Sequence, residues 1–376
     1  AIIVQMNPLR VIISGGGTGG HIFPAISIAN EIRLKRPDAD ILFVGAEGRM
    51  EMQRVPAAGY PIEALPITGF DRKRLWRNFA VLLKIFKSKR KARQIVKRFR
   101  PQVAVGVGGY ASGPTLSVCE DLGIPTLLQE QNSYAGVTNK LLARKAACIC
   151  VAYEGMERFF PKDRIMLTGN PVRQNLLQPS ANRDEAAQRL GLTPGRRTVI
   201  IIGGSLGART LNESVLSQLA AIEAQPEVQW LWQTGSYYRA EIEQRLAGQC
   251  PKNLHVTEFI ADMSEAYAVA DLVISRAGAS SISELCLLGK AAILVPSPNV
   301  AEDHQTHNAM ALVDKQAALL VKDAEAQERL ITLALNTVGN DEQLAQLSAQ
   351  ALTLALPNAA SDIADQVIRL AEQQCG

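Results

Sequence analysis

Two glycine-rich turns are the first places where this chain could do chemistry. Gly15-Gly-Gly-Thr-Gly-Gly20 and Gly203-Gly-Ser-Leu-Gly207 each follow a Val/Ile run and precede a helical pattern. Glycine lets backbone approach a ligand closely, and a helix start offers unpaired N–H groups and a positive dipole end, so both turns suit a phosphate, with Ser205 adding a hydroxyl donor. His21 stands directly after the first turn and reads as a general base or as a cap that touches phosphate. Glu130 and Asn132 follow the apolar run Pro125–Gln129 and emerge at the end of a strand. In the second half, Ser275-Arg-Ala-Gly-Ala-Ser-Ser-Ile-Ser-Glu284 brings small residues, main-chain amides and a carboxylate able to accept both hydroxyls of a ribose. Gln305, in the polar run Pro296–Asn308, could read a sugar hydroxyl. His304 and His307 are a weak metal pair without a third ligand in the sequence. Asp38-Ala-Asp40 has the spacing of a manganese-binding acid pair but precedes a strand, and reads as a turn.

The elements that must position these groups are short apolar runs alternating with helical stretches: Val11–Ser14, Ile41–Val44, Val103–Val107, Pro125–Gln129, Ile165–Thr168, Thr198–Ile202, Val228–Trp232, Asp271–Ser275 and Ala291–Val295. Continuous apolar strands belong to parallel sheets buried on both faces. The order repeats: Val11–Gly20 aligns with Val199–Ala208 at an offset of 188, half of the 376 residues. The fold class is therefore α/β, with two Rossmann-like doubly wound parallel-sheet domains expected over 10–172 and 173–356. A last helix, Ser361–Gln374 within 357–376, could pack on either. Ligands of such sheets sit outside the carboxyl ends of the strands, so the expected site is a cleft made by two such edges facing each other.

A chain with 47% hydrophobic and 20% charged residues has a core to bury, which excludes disorder. The apolar run Ala146–Ala152 is far shorter than the ~18 residues of a membrane span, and no secretion signal is expected from the opening residues. Six scattered cysteines without a C-x-x-C pair read as buried free thiols in a reducing compartment. The net charge of +4 hides an asymmetry, because 71–100 holds thirteen Lys/Arg against one acid, a local +12, which leaves −8 elsewhere. Leu75, Phe79, Leu82, Leu83 and Phe86, with Trp76 beside them, fall on one helical face of this stretch. It reads as a basic amphipathic helix: a solvated flank of the core, a surface for anionic lipid or, least favoured for want of a binding motif, a nucleic-acid patch.

Gly15, Gly17 and Gly20 also satisfy the dinucleotide pattern G-x-G-x-x-G, which makes a nicotinamide enzyme the first rival, although Glu47 comes 27 residues after Gly20 instead of the usual ~20. Six segments in order settle on a different family. Gly15–Pro24, Gly108-Gly-Tyr-Ala-Ser-Gly-Pro114, Glu130-Gln-Asn-Ser-Tyr-Ala-Gly136, Gly169-Asn-Pro-Val-Arg173, Gly203-Gly-Ser-Leu-Gly-Ala-Arg209 and Arg276–Glu284, spread over nearly the whole chain, resemble the MurG family. These are the bacterial UDP-N-acetylglucosamine transferases that add the second sugar to undecaprenyl-linked lipid I.

The resemblance implies a GT-B fold, inversion at the anomeric carbon, no metal or cofactor, and a peripheral protein on the cytoplasmic side of the membrane. It implies an N-terminal domain for acceptor and membrane and a C-terminal domain for the UDP-sugar. Thr18, Gly19, Gly20 and Ser205 match donor diphosphate contacts, and Arg173 and Asn132 match donor-binding positions. The backbone of Ile260 would read uracil, Ala279, Ser280, Ser281, Ile282, Ser283 and Glu284 the nucleoside and ribose, and Gln305 the donor sugar. His21, Tyr110 and Glu130 match positions near the reaction centre, with His21 as base oriented by Glu130. The implied partners are UDP-N-acetylglucosamine, lipid I and an anionic membrane surface, with no nucleic acid. A glycosyltransferase acting on diacylglycerol and a non-catalytic membrane module are the remaining alternatives.

Overall fold

The computed structural model describes residues 8–68, 77–178, 181–204 and 206–374, with side chains from residue 79 onward in the second segment. Ser205, Leu75, Trp76 and Cys375 lie outside the described residues. The chain divides into two compact units, one running through Val172 and joined by the segment from Leu356 onward, the other Arg173–Ala355.

The first unit holds seven strands: β1 (Arg10–Ser14), β2 (Asp40–Ala46), β3 (Ile62–Leu65), β4 (Val103–Gly106), β5 (Thr126–Glu130), β6 (Cys148–Val151) and β7 (Ile165–Leu167). All pair in parallel, in the order β3-β2-β1-β4-β5-β6-β7. Successive side chains of β1 point to opposite faces, as the strand period demands. Val11 and Ile13 enter a cluster with Ile28 and Ile32 of the helix Gly19–Lys35 and with Ile363, Val367 and Leu370 of the C-terminal helix Ala359–Gln373. Ile12 enters the opposite cluster, with Ala92 and Ile95 of the helix Arg77–Phe99 and Leu116 of the helix Ser112–Asp121. The C-terminal helix thus completes the first unit, and a Lys35–Asp365 ion pair of 2.7 Å ties it to the helix Gly19–Lys35.

The second unit repeats the plan with β8 (Arg197–Ile202), β9 (Val228–Gln233), β10 (Leu254–Thr257), β11 (Leu272–Ser275), β12 (Ala292–Leu294) and β13 (Leu319–Leu320), all parallel, in the order β10-β9-β8-β11-β12-β13. β1 and β8, the two strands that align in sequence, occupy the same place. In both sheets the strand order reverses beside them, which is where a doubly wound sheet opens for a ligand. Sequence reading passed over β3 and β10, short edge strands with no continuous apolar run, and β13, two residues within the apolar run Ala317–Val321. It also passed over β6, which sits inside Ala146–Ala152.

Helix Arg77–Phe99 carries two apolar stripes. Val81, Ser88, Ala92, Ile95 and Val96 are buried, whereas Phe79, Leu82, Leu83 and Phe86 are exposed, Phe79 by 72%. At 100° per residue these two sets lie on opposite faces. The stripe picked out from spacing is the outward one, and Arg90, Arg93 and Lys97 continue it toward the C-terminus. Among the described cysteines, Cys119, Cys148, Cys150 and Cys286 are buried free thiols and Cys250 is half-buried.

Candidate active site

A cavity of about 630 Å³ opens at the carboxyl edge of the second sheet, lined by the turn after β8 (Gly203, Gly204, Gly207), by Arg209 and Thr210, and by Arg276, Gly278 and Ser281 after β11. Two helices begin at its wall, Arg209–Leu216 and Ala279–Leu288, and neither has an acid in its first turn. Their unpaired N–H groups and dipoles converge on one space, an arrangement that stabilises an anion. Gly207 has φ +91°, and a Cβ there would run into the carbonyl oxygen of Thr234, so only glycine lets this turn lie against the loop after β9. Asp323 is the acid of the cavity lining; it accepts from Thr210 Oγ1 at 3.0 Å and pairs with Arg276 Nη1, which also donates to the carbonyls of Val295 and Pro296.

Gln305 also lines the cavity, but its Oε1 accepts from Ser297 N at 2.8 Å and Ala277 N at 3.2 Å, tying together the loops after β11 and β12. Its acceptor oxygen is thereby committed to the backbone, and the amide NH2 is the end suited to a ligand. Within Ala279–Glu284, Ser280 is exposed, Ala279, Ser281 and Ser283 are half-buried, and Ile282 and Glu284 are buried. Ile282 can offer a ligand only main chain. The same holds for Ile260, whose residue is 4% exposed.

Glu284, expected to face a ribose, is also held by protein groups. Arg173 grips it bidentately, Nε to Oε1 and Nη2 to Oε2 at 2.9 Å each, and Tyr267 Oη donates to Oε2 at 2.8 Å. Burial raises the carboxyl's pKa while Arg173 and Tyr267 oppose the rise, and burial together with the adjacent carboxylate pushes the Tyr267 phenol up strongly. Arg173 therefore brings its charge already paired.

In the first unit the turn after β1 is packed against the turn after β4. Gly16 N donates to Gly108 O at 3.1 Å, and a Cβ on Gly109 would strike the backbone of Gly16. Thr18 precedes the helix Gly19–Lys35 without a side-chain cap hydrogen bond, and this helix too has no acid in its first turn. His21 is half-buried beside Gly108; its Nδ1 lies 2.8 Å from Gly16 O and 3.3 Å from Thr18 Oγ1. A carbonyl only accepts, so Nδ1 carries the proton and Nε2 is the basic nitrogen. Sequence reading missed Glu51, which is 1% exposed and fills the space behind Gly16.

Glu130 corrects its expected role as the partner that orients His21. The His21 Nδ1 proton goes to Gly16, while the Glu130 carboxylate accepts from Gly136 N at 2.7 Å, Asn132 N at 3.3 Å and Asn139 Nδ2 at 3.4 Å. Burial raises its pKa against these hydrogen bonds, and its work is to shape the loop that carries Asn132. Tyr110 is 46% exposed at the end of β4, with the guanidinium carbon of Arg49 at 5.6 Å from its ring centroid.

Residues 11–151 match the glycosyltransferase family 28 N-terminal domain and residues 198–367 the family's C-terminal domain. The Bacteroides fragilis protein named UDP-N-acetylglucosamine--N-acetylmuramyl-(pentapeptide) pyrophosphoryl-undecaprenol N-acetylglucosamine transferase is 63% identical over 371 residues, 98% of this chain and 97% of its own length. The protein of the same name from Bacteroides thetaiotaomicron is 63% identical over 368 residues, 97% of this chain and 99% of its own. The crystal structure of Acinetobacter baumannii MurG matches with a TM-score of 0.79 at 30% identity, covering 96% of this chain and 100% of that one. The two parallel-sheet units are those of the GT-B fold. By both halves of its sequence and by its full-length relatives, this chain belongs to glycosyltransferase family 28 and, within it, to the MurG family.

Proposed function

We propose that this chain transfers N-acetylglucosamine from UDP-N-acetylglucosamine to the 4-hydroxyl of the N-acetylmuramic acid of undecaprenyl-linked lipid I, with inversion, yielding lipid II. The relatives' names support the substrates, and the observation that carries the chemistry is the second unit's cavity with its two acid-free helix starts. The acceptor hydroxyl attacks the anomeric carbon as UDP departs from the opposite face, so negative charge grows on the diphosphate. Main-chain amides around Gly203–Gly207 and Gly278–Ser281 meet it there, a preorganised stabilisation of the leaving group. Ser205, through its hydroxyl, is assigned to the same diphosphate from family correspondence alone. Arg173 and Glu284 act as one unit that sets the nucleoside end, with Ile260 main chain on the base and the Gln305 amide on the sugar. In the first unit His21 Nε2 takes the hydroxyl proton, Tyr110 flanks the acceptor, Asn132 faces the donor, and Thr18–Gly20 offer amides to phosphate oxygens.

The test is sugar transfer by the purified full chain from radiolabelled UDP-N-acetylglucosamine, with chelator present. Transfer to a lipid I analogue and none to diacylglycerol is expected. Labelled diacylglycerol, or a strict need for manganese, contradicts the reading. UDP should raise Tm and NAD should not, since only a ligand bound by the native state stabilises it.

No helix among the described residues is long and apolar enough to cross a membrane. Peripheral attachment at the cytoplasmic face fits the outward stripe of the helix Arg77–Phe99, where Phe79, Leu82, Leu83 and Phe86 stand among lysines and arginines. Burying one such Phe is worth about 1.5–3 kcal/mol. Phe79→Ser with Phe86→Ser should therefore cut partition onto phosphatidylglycerol vesicles by more than about 100-fold in co-sedimentation. Tm should be unchanged, because neither ring packs in the core. Undiminished partition would remove this helix as the anchor.

A further inference from the structure

One peptide group links a buried carboxylate to the imidazole. Glu51 opens the helix Glu51–Ala57 after β2 and is 1% exposed. Its Oε1 accepts from Ala46 N at 2.9 Å, and its Oε2 accepts from Gly17 N at 2.8 Å. The Gly17 N–H and the Gly16 C=O are the two ends of the same amide, and that C=O takes the His21 Nδ1 proton at 2.8 Å. Gly16, at φ +149°, has no room for a Cβ because the Glu51 carboxylate occupies the place. A carboxylate drawing on the N–H end of an amide polarises its C=O end, so the two hydrogen bonds strengthen each other.

We propose that Glu51 is a positioning residue for His21, acting through the Gly16–Gly17 peptide as a carboxylate–amide–imidazole relay. The proposal rests on the reading of His21 as general base. In the transfer step the acceptor O–H bond breaks as Nε2–H forms, the acceptor oxygen bonds to the anomeric carbon, and that carbon's bond to the UDP oxygen breaks. The proton stays on Nε2 and none moves through the amide. Glu51 fixes the Nδ1–H tautomer through the shared amide and favours the imidazolium. The same geometry also separates the two glycine turns: in the first, the Gly17 amide is already taken by an internal anion, and the turn serves as a scaffold for the base. Of the other titratable and charged groups on the surrounding loops, Arg49 lies over Tyr110, Glu130 is held by its own loop and Glu47 is exposed.

The experiment measures pH profiles of kcat and kcat/KM for the wild type, Glu51→Gln, His21→Ala and the double variant, all as full chains with Tm recorded. Glutamine has one acceptor oxygen and no charge, so one of the two amides loses its partner. Glu51→Gln should lower kcat about 10–100-fold, part of the ~10²–10⁴ that a general base supplies. It should also move the acid limb of the profile to lower pH, since the imidazolium loses its nearby negative charge, and leave the donor KM unchanged. In the His21→Ala background the same change should alter the rate by less than about threefold, the mark of two residues acting as one. An unmoved limb with normal kcat in Glu51→Gln overturns the relay, as does an equal loss with and without His21, which is what a merely structural role gives. If Glu51→Gln does not fold, Glu51→Asp, which keeps the charge and shortens the reach, is expected to lower kcat with the limb near its wild-type pH; full kcat there overturns the relay. A His21→Ala enzyme that keeps its rate removes the base reading itself, and is told apart because Glu51 plays no part in that comparison.

Discussion

Replacing His21 with Ala is expected to lower kcat by about 10²–10⁴, the usual contribution of a positioned general base. The size follows from the geometry: Nδ1 is held on Gly16 O, so the basic nitrogen is fixed in one tautomer and pays little reorganisation when the proton arrives. Folding should be little affected, because the ring is half-buried and its bond is to a turn, outside the core. Binding of UDP alone should be unchanged, since no proton moves in that equilibrium. His21→Gln, which keeps a polar side chain but no base, should be as slow as His21→Ala. Near-normal turnover with an unchanged pH profile in either variant would reduce His21 to a cap of the helix Gly19–Lys35.

Gly207→Ala is expected to weaken UDP binding by 10-fold or more and to lower Tm. With φ +91° and Thr234 O where the new methyl would stand, the substitution meets both backbone strain, of order 1–3 kcal/mol, and a collision with main chain that cannot swing aside. The turn must lift off the loop after β9, and the amides it presents to the cavity move with it. Gly195→Ala separates the two effects: it has φ +76° but nothing within 4 Å of the added carbon, and it does not line the cavity. It should lose some stability while binding UDP normally, measured by calorimetry and thermal unfolding. Equal UDP affinity in the two variants would show that the turn after β8 does not present amides to the nucleotide.

The glycine turns, His21 and the central strands were legible because residue type and local spacing alone decide them: a Val/Ile run, a glycine cluster and a helix start leave few other conformations. What stayed hidden is what folding brings together. Glu51 is 34 residues from Gly17, and Arg173 is 111 from Glu284. No periodicity joins either pair, so one carboxylate went unnoticed and the hold of Arg173 and Tyr267 on the other was not foreseen. The helix Arg77–Phe99 shows a different limit. Spacing reveals that apolar residues share a face, but this helix has two such faces, and only packing against the helix Ser112–Asp121 decides which is inward. The edge strands β3 and β10 borrow their conformation from a neighbour and carry little signal of their own.

The central claim is that the leaving diphosphate is received by main-chain amides at the start of the helices Arg209–Leu216 and Ala279–Leu288. The most direct measurement is a crystal structure of this chain with UDP. Phosphate oxygens within hydrogen-bonding distance of the turns 203–207 and 278–281 are the predicted result. A nucleotide whose phosphates touch neither of these two turns, or phosphates held by side chains away from both helix starts, would contradict it.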